Sequence, residues 1–262
     1  MNIYEDHNDN LSNYQDSFRN MKGNIHVLER SVPVDLQMEY FRSSKDYKRG
    51  ISRDYKATDE ECADLYAELV GQTASEEPEY LSKYTVRNLL IKLASSKNPK
   101  AYTYLKQYVE QHPEAPELDW ACLALMEIQM GLESELSDEK QIYIATGLGG
   151  RGEKLRFCVL MFSATLQPFE AYQRQVIERE FGYYFPKADC EMERLEIGEN
   201  YVNLSVLFPL RSDIRLIMAQ IITTCNEYGN FLADVYTITN VKEFTPEDIE
   251  ETLRNYAQKH PI

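Results

Sequence analysis

Between Thr58 and Leu132 apolar residues return every three or four positions, and after Asp138 they return every two. The first spacing gathers side chains on one face of a helix and the second on one face of a strand. The chain is therefore predicted to pass from a helical part to one that mixes strands and helices. Thr58 and Glu61 stand in the S/T-x-x-E relation of a capping box, in which a hydroxyl and a carboxylate satisfy orphan amides reciprocally. A helix is predicted from there to about Val70, with Cys62, Leu65 and Leu69 inward. A second runs from about Glu79 to Ala94, with Val86, Leu89, Leu90 and Leu93 on one side. Asn98 and Pro99 form an N-cap and first-turn pair that opens a third helix through Ala101, Leu105, Tyr108 and Val109. Pro113 and Pro116 interrupt the pattern, and a fourth helix carries Leu118, Ala121, Cys122, Leu125, Ile128 and Leu132.

The third and fourth helices, joined by a short proline loop, are expected to form an antiparallel hairpin. Over roughly residues 84–132 this hairpin resembles a single unit of the HEAT or tetratricopeptide type, which implies paired helices stacked side by side. No second copy follows at a period of ~34 to 47 residues, and a solenoid needs about three repeats. The expectation is accordingly a small helical bundle.

In the second half Ile142 and Ile144 alternate with Tyr143 and Ala145, a glycine-rich loop follows, and Leu155, Phe157, Val159 and Met161 alternate with Arg156, Cys158, Leu160 and Phe162. This reads as a β-hairpin. A helix from about Pro168 to Phe181, a strand near Met192 to Ile197, a Gly198-Glu199-Asn200 turn and a strand from Tyr201 to Phe208 come next. A helix from Asp213 to about Tyr228, a strand from Val235 to Thr239 and a final helix capped at Thr245-Pro246-Glu247-Asp248 and reaching about Gln258 complete the order. From Leu155 onward the sequence strand, helix, strand, strand, helix, strand is similar to the ferredoxin-like split βαβ arrangement. The fold class expected is α+β: a polar arm or extended strap over 1–57, an acidic helical domain over 58–138, and a ferredoxin-like domain over 139–262 with an extra N-terminal strand and a C-terminal helix. Within the arm, residues 1–24 are too polar to fold alone, whereas Asn24 to Phe41 holds enough apolar residues to dock in extended form.

Composition narrows the function classes. The net charge is −15, and residues 1–60, 61–139 and 140–262 carry 9 basic against 11 acidic groups, 6 against 15 and 13 against 17. Such a balance repels a phosphate backbone at long range, so nucleic acid is not expected as a partner. One basic cluster, Arg42, Lys45, Lys48, Arg49, Arg53 and Lys56, is interrupted by Asp46 and Asp54 and is read as a solvated segment rather than a phosphate-binding patch. The longest apolar run, Phe157 to Phe162, is far short of the ~20 residues of a membrane span, and the N-terminus lacks the pattern of a signal peptide. A cytoplasmic protein is expected, with no membrane partner. Five cysteines, an odd number with no C-x-x-C, read as reduced core thiols.

Two surfaces are candidates for chemistry or contact. Gly147-Leu148-Gly149-Gly150-Arg151-Gly152 is a literal G-x-G-x-x-G, but a strand follows it where a dinucleotide fold needs a helix, and Lys154 stands one residue too late for a P-loop. The amides of Gly147, Gly149 and Gly152 with Arg151 and Lys154 remain a candidate anion or nucleotide site for a small-ligand sensor or enzyme. The second candidate is aromatic. With 19 tyrosines against 10 phenylalanines and one tryptophan, Trp120, Tyr102 and Tyr108 are expected contact residues. The four histidines are scattered, no metal-ligand spacing is present, and no nucleophile motif of a hydrolase occurs. No catalytic residue, metal or cofactor is expected. The first function expected is a non-catalytic protein-protein interaction or adaptor protein, whose acidic surface would meet a basic partner or a second copy of the chain.

Overall fold

Asn24–Val27 (β1) and Gln141–Ile144 (β2) pair in parallel and bracket five helices: Val34–Arg49 (α1), Asp59–Thr73 (α2), Glu79–Ala94 (α3), Pro99–Gln111 (α4) and Leu118–Leu136 (α5). This computed structural model describes residues 24–73, 79–137 and 141–259, so expectations for residues 1–23 lie outside it. It divides into two units, one of residues 24–145 and one of residues 146–259. The molecule is α+β, with helices in both units and one antiparallel sheet in the second.

In the first unit one core gathers Val32 and Tyr40 around α1, Cys62 and Leu69 from α2, Leu89, Leu90 and Leu93 from α3, Leu105 and Tyr108 from α4, and Trp120, Leu123 and Ile128 from α5. The capping box forms as expected, with the Thr58 amide donating to Glu61 at 2.7 Å and the Glu61 amide to Thr58 Oγ1 at 3.2 Å. Asn98 caps α4 by accepting from the Lys100 amide at 2.8 Å, and its own side-chain amide donates to Ala57 and Asp59, which joins the starts of α2 and α4.

Two expectations are corrected here. Residues 34–49 are a helix and not an extended strap. The inward stripe of that helix is Gln37, Tyr40 and Ser44, so an apolar period of 3.6 does not reveal it. Gln37 is satisfied by donating to the Val32 carbonyl at 2.8 Å. Nor do residues 142–145 form a hairpin with 155–162. Strand β2 belongs to the first unit, beside β1, and the chain passes from one unit to the other at Ala145 and Thr146.

The second unit holds Gly150–Arg151 (β3), Lys154–Ser163 (β4), Ala171–Lys187 (α6), Glu191–Ile197 (β5), Tyr201–Pro209 (β6), Ile214–Asn226 (α7), Leu232–Thr239 (β7) and Pro246–Lys259 (α8). Its sheet runs β3-β4-β6-β5, and β7 also pairs with β4. All β4 pairings, like that of β5 with β6, are antiparallel. Strand β4 is central, and every residue from Phe157 to Ser163 is buried, as a strand covered on both faces requires. One side is closed by an aromatic group in which Phe181, Phe185, Phe208 and Phe157 meet edge to face. The other side packs Leu160 and Phe162 against Ile249 and Tyr256 of α8.

Among the described residues no helix is long and apolar enough to cross a membrane. All five cysteines are free, and only Cys122 is partly exposed. Burial pushes the Cys122 thiol up to about 11 and those of Cys190 and Cys225 up to about 12. A thiol reagent at pH 8 is thus expected to leave Cys62, Cys158, Cys190 and Cys225 unlabelled in the folded protein and to label all five in denaturant. Rapid native labelling of any of those four, located by peptide mass spectrometry, would contradict this packing.

Candidate functional site

The glycine loop is the first place to look for an anion site, and its cations are already engaged. Arg151 donates to Glu191 at 3.0 Å and to Glu193 at 2.9 Å, and Lys154 reaches Asp189 at 3.0 Å and Glu191 at 2.8 Å. Arg156 adds an ion pair to Glu193 and donates to the Leu148 carbonyl at 2.6 Å. Three cations thus face three carboxylates across the sheet, leaving no net positive charge for an incoming phosphate. The Lys154 ammonium is held above its usual range, chiefly by its hydrogen bond to Glu191. The glycines serve geometry instead. Gly149 and Gly152 adopt φ of 68° and 56°, and a Cβ on Gly147 would lie 1.8 Å from the Val241 carbonyl oxygen. The Leu148 amide donates to the Asn240 carbonyl at 3.0 Å, so the loop is fastened to the end of β7.

The aromatic contact candidates are interior. Trp120 is 2% exposed and Tyr108 1%, both within the core of the first unit, and Tyr102 packs half-buried against it. The Arg87 guanidinium lies 4.1 Å from the Trp120 ring centroid, and Tyr40 meets that ring edge-on at 5.2 Å. Arg87 also bridges Glu117 at 2.5 Å and Glu39 at 2.8 Å. Trp120 thus joins α5 to α1 and α3 and offers no ring face to a partner.

The basic cluster passed over in the sequence is what forms a cavity. Because 34–49 is helical, Arg42, Lys45 and Arg49 fall at i, i+3 and i+7 on one face, with Lys48 beside them. A cleft of about 540 Å³ opens there, lined by Lys45, Lys48, Arg49 and Arg53, with Phe41 and Ile51 supplying apolar surface. Ser44 and Glu127 complete the lining and are buried. Glu127 enters from α5, 7% exposed, and accepts hydrogen bonds from Tyr40 at 2.5 Å, from Ser44 at 2.7 and 2.9 Å and from Lys48 at 2.5 Å. Tyr40, Ser44 and Lys48 are spaced by four and form a single stripe on α1 facing that carboxylate. Burial, and then the charge and hydrogen bond of Glu127, raise the Tyr40 phenol well above its ordinary value, so it stays a donor. Among the described residues Arg49 pairs with Asp46 at 2.8 Å, whereas Arg42, Lys45, Arg53 and Lys56 make no ion pair. The cleft is therefore a local excess of positive charge on a strongly acidic chain.

Two signals for this site are present in the sequence. The spacing Tyr40, Ser44, Lys48 places hydrogen-bonding groups four apart, and Glu127 occupies an inward position of α5, seven residues after Trp120 and three after Ala124. A second polar group ties β1 and β2 to α5: His26 stacks on Tyr143 at 4.4 Å and lies 3.1 Å from Glu133, which accepts from the Tyr143 hydroxyl at 2.5 Å. Among the described residues no three histidine, cysteine, aspartate or glutamate side chains gather as a metal site.

No family model and no curated protein sequence matches this chain. Two solved structures are similar to part of it. One is described as a transposase from Deinococcus radiodurans R1, at TM-score 0.35 and 15% identity, covering 39% of this chain and 90% of that one. The other is a REP-associated tyrosine transposase bound to a REP hairpin, at TM-score 0.30 and 9% identity, covering 40% and 68%. These likenesses assign no activity to this chain. They do overturn the expectation of a non-catalytic protein-protein adaptor and the exclusion of nucleic acid, since the structures it is similar to are transposases, one of them bound to a hairpin.

Proposed function

We propose that this protein binds nucleic acid through the basic cleft of its first unit. The supporting observation is the cavity itself, where Lys45, Lys48, Arg49 and Arg53 converge beside the exposed ring of Phe41. Cations that track a phosphate backbone next to an aromatic platform are the elements of single-strand recognition. Lys45 and Arg53 can take phosphates without breaking an ion pair between described residues, whereas Lys48 and Arg49 must exchange a carboxylate for a phosphate. The net charge of −15 opposes distant encounter, so the reading demands that binding be local, short-range and strongly salt-dependent.

In the same reading the second unit is a ferredoxin-like split βαβ module, supported by the order β7-β4-β6-β5 with α6 and α7 as its crossovers. The α4 and α5 pair is a hairpin of the HEAT or tetratricopeptide type, and the protein acts in the cytoplasm.

The test is fluorescence anisotropy with labelled single-stranded DNA, single-stranded RNA and a DNA hairpin, between about 50 and about 200 mM salt. Binding of at least one probe is expected, with log K falling linearly in log salt. Lys45→Glu with Arg53→Glu should weaken it at least about tenfold. Each neutralised phosphate contributes a slope of about −0.7 on a single strand, so the double variant should flatten the slope by about 1.4. Absence of binding to all three probes, or a double variant that binds like the parent, overturns the proposal.

A further inference from the structure

We infer that the cleft accepts one unpaired guanine nucleotide, base inward against Glu127 and phosphate outward on the cations. This inference rests on the nucleic-acid reading above and adds a specificity to it. A cavity lined only by cations would serve a phosphate alone, but this one has a buried carboxylate among its lining groups, and a carboxylate repels phosphate. What it accepts is N–H donors. The volume, about 540 Å³, is of the size that holds a small organic ligand.

The hydrogen-bond arithmetic of Glu127 selects the base. An ionised carboxylate offers about four acceptor sites, two on each oxygen. Tyr40 donates to Oε2, Lys48 to Oε1, and the single Ser44 proton is shared between both. Lys48 is the only exposed member of this set, with 46% of its side chain accessible, and it is free to move from Glu127 to a phosphate. Once it moves, Ser44 settles on Oε1 and Tyr40 keeps Oε2, leaving one open site on each oxygen. Two adjacent, parallel N–H donors fit that vacancy, and the N1–H and N2–H of guanine are such a pair. Uracil and thymine present one N–H flanked by two carbonyls, which face the carboxylate with like partial charge. Cytosine and adenine offer an amino group beside an acceptor nitrogen. Phe41, 39% exposed and held edge-on to Tyr40 at 5.4 Å, is placed to stack on the base while Lys45 and Arg53 take its phosphate.

The experiment compares oligothymidylates carrying one central G, C or A with the all-T strand, and free GMP with UMP, by anisotropy competition on the full chain. The G-containing strand is expected to bind about tenfold or more tighter than the all-T strand, with A and C between. Glu127→Gln should reduce that preference to within about twofold, because an amide accepts at only one of its two positions. Phe41→Ala, on the surface, should weaken all four strands by similar factors and leave the G preference in place. Equal binding of all four strands to the parent protein overturns the inference while leaving the nucleic-acid reading intact, and this arm needs no variant to fold. Binding of GMP over UMP without binding of any strand upholds the guanine site and overturns the nucleic-acid reading. Failure of every probe overturns both.

Discussion

A Trp120→Ala variant is expected to lose about 4 kcal/mol of stability, the usual scale for removing a large buried aromatic side chain. Trp120 is 2% exposed, and its ring is covered by Arg87 and met by Tyr40. Its removal leaves the Arg87 guanidinium without its aromatic face and opens a void between α1, α3 and α5. Urea unfolding should show a lower midpoint for the first unit with little change in slope. A loss below about 1 kcal/mol would mean that the side chain sits at the surface, as the sequence had suggested for a partner contact. The same variant should disturb the cleft, because Tyr40 bridges Trp120 and Glu127.

The second large effect is expected from one methyl group. Gly147→Ala would place a Cβ 1.8 Å from the Val241 carbonyl oxygen and 2.6 Å from its carbonyl carbon. Both atoms are backbone, so relief requires moving the segment after β7 or the loop that the Leu148 amide fastens to Asn240. Overpacking of this kind costs about 3 kcal/mol. Gly131→Ala is the internal control. It lies within α5 with open space around it and should stabilise by about 0.5 to 1 kcal/mol through helix propensity. If Gly147→Ala melted like the parent in a calorimetric scan, the close approach to Val241 would be wrong.

What could be read from the sequence was what is local. The capping boxes at Thr58 and Glu61 and at Thr245 and Asp248 form as expected, because each joins groups three residues apart. The helices and strands with apolar faces were likewise legible, from Cys62 and Leu69 in α2 to Ile214, Met218 and Ile221 in α7. Helix α1 escaped because its inward face is polar, and its buried hydroxyls are satisfied only by a carboxylate 83 or more residues further on. With α1 read as an extended strap, its cations could not be seen to share a face, and the cleft vanished with them. The pairing of β2 was missed for a related reason: alternation shows that a strand exists but not which partner it takes, and a glycine-rich turn nearby suggested the wrong one. The cations of the loop were misread because Glu191 and Glu193, which neutralise them, sit on a strand separated from β4 by β6.

The parallel pairing of β1 with β2 sets an order of events during synthesis. Asn24–Val27 emerges early, but its partner Gln141–Ile144 follows only after all five helices of that unit. The entropy of closing so long a loop grows only slowly with length, so the arrangement costs little once complete. Its consequence is kinetic, since contacts far apart in sequence form late. Until residue 144 is available, the donors and acceptors of β1 have no β2 to meet, including the Leu28 amide that finally donates to Ile144 at 2.8 Å. A strand edge in that condition can pair with another chain. For this unit the interval between making residue 27 and making residue 144 is therefore the period of greatest exposure to misassociation, and the four residues of β2 end it.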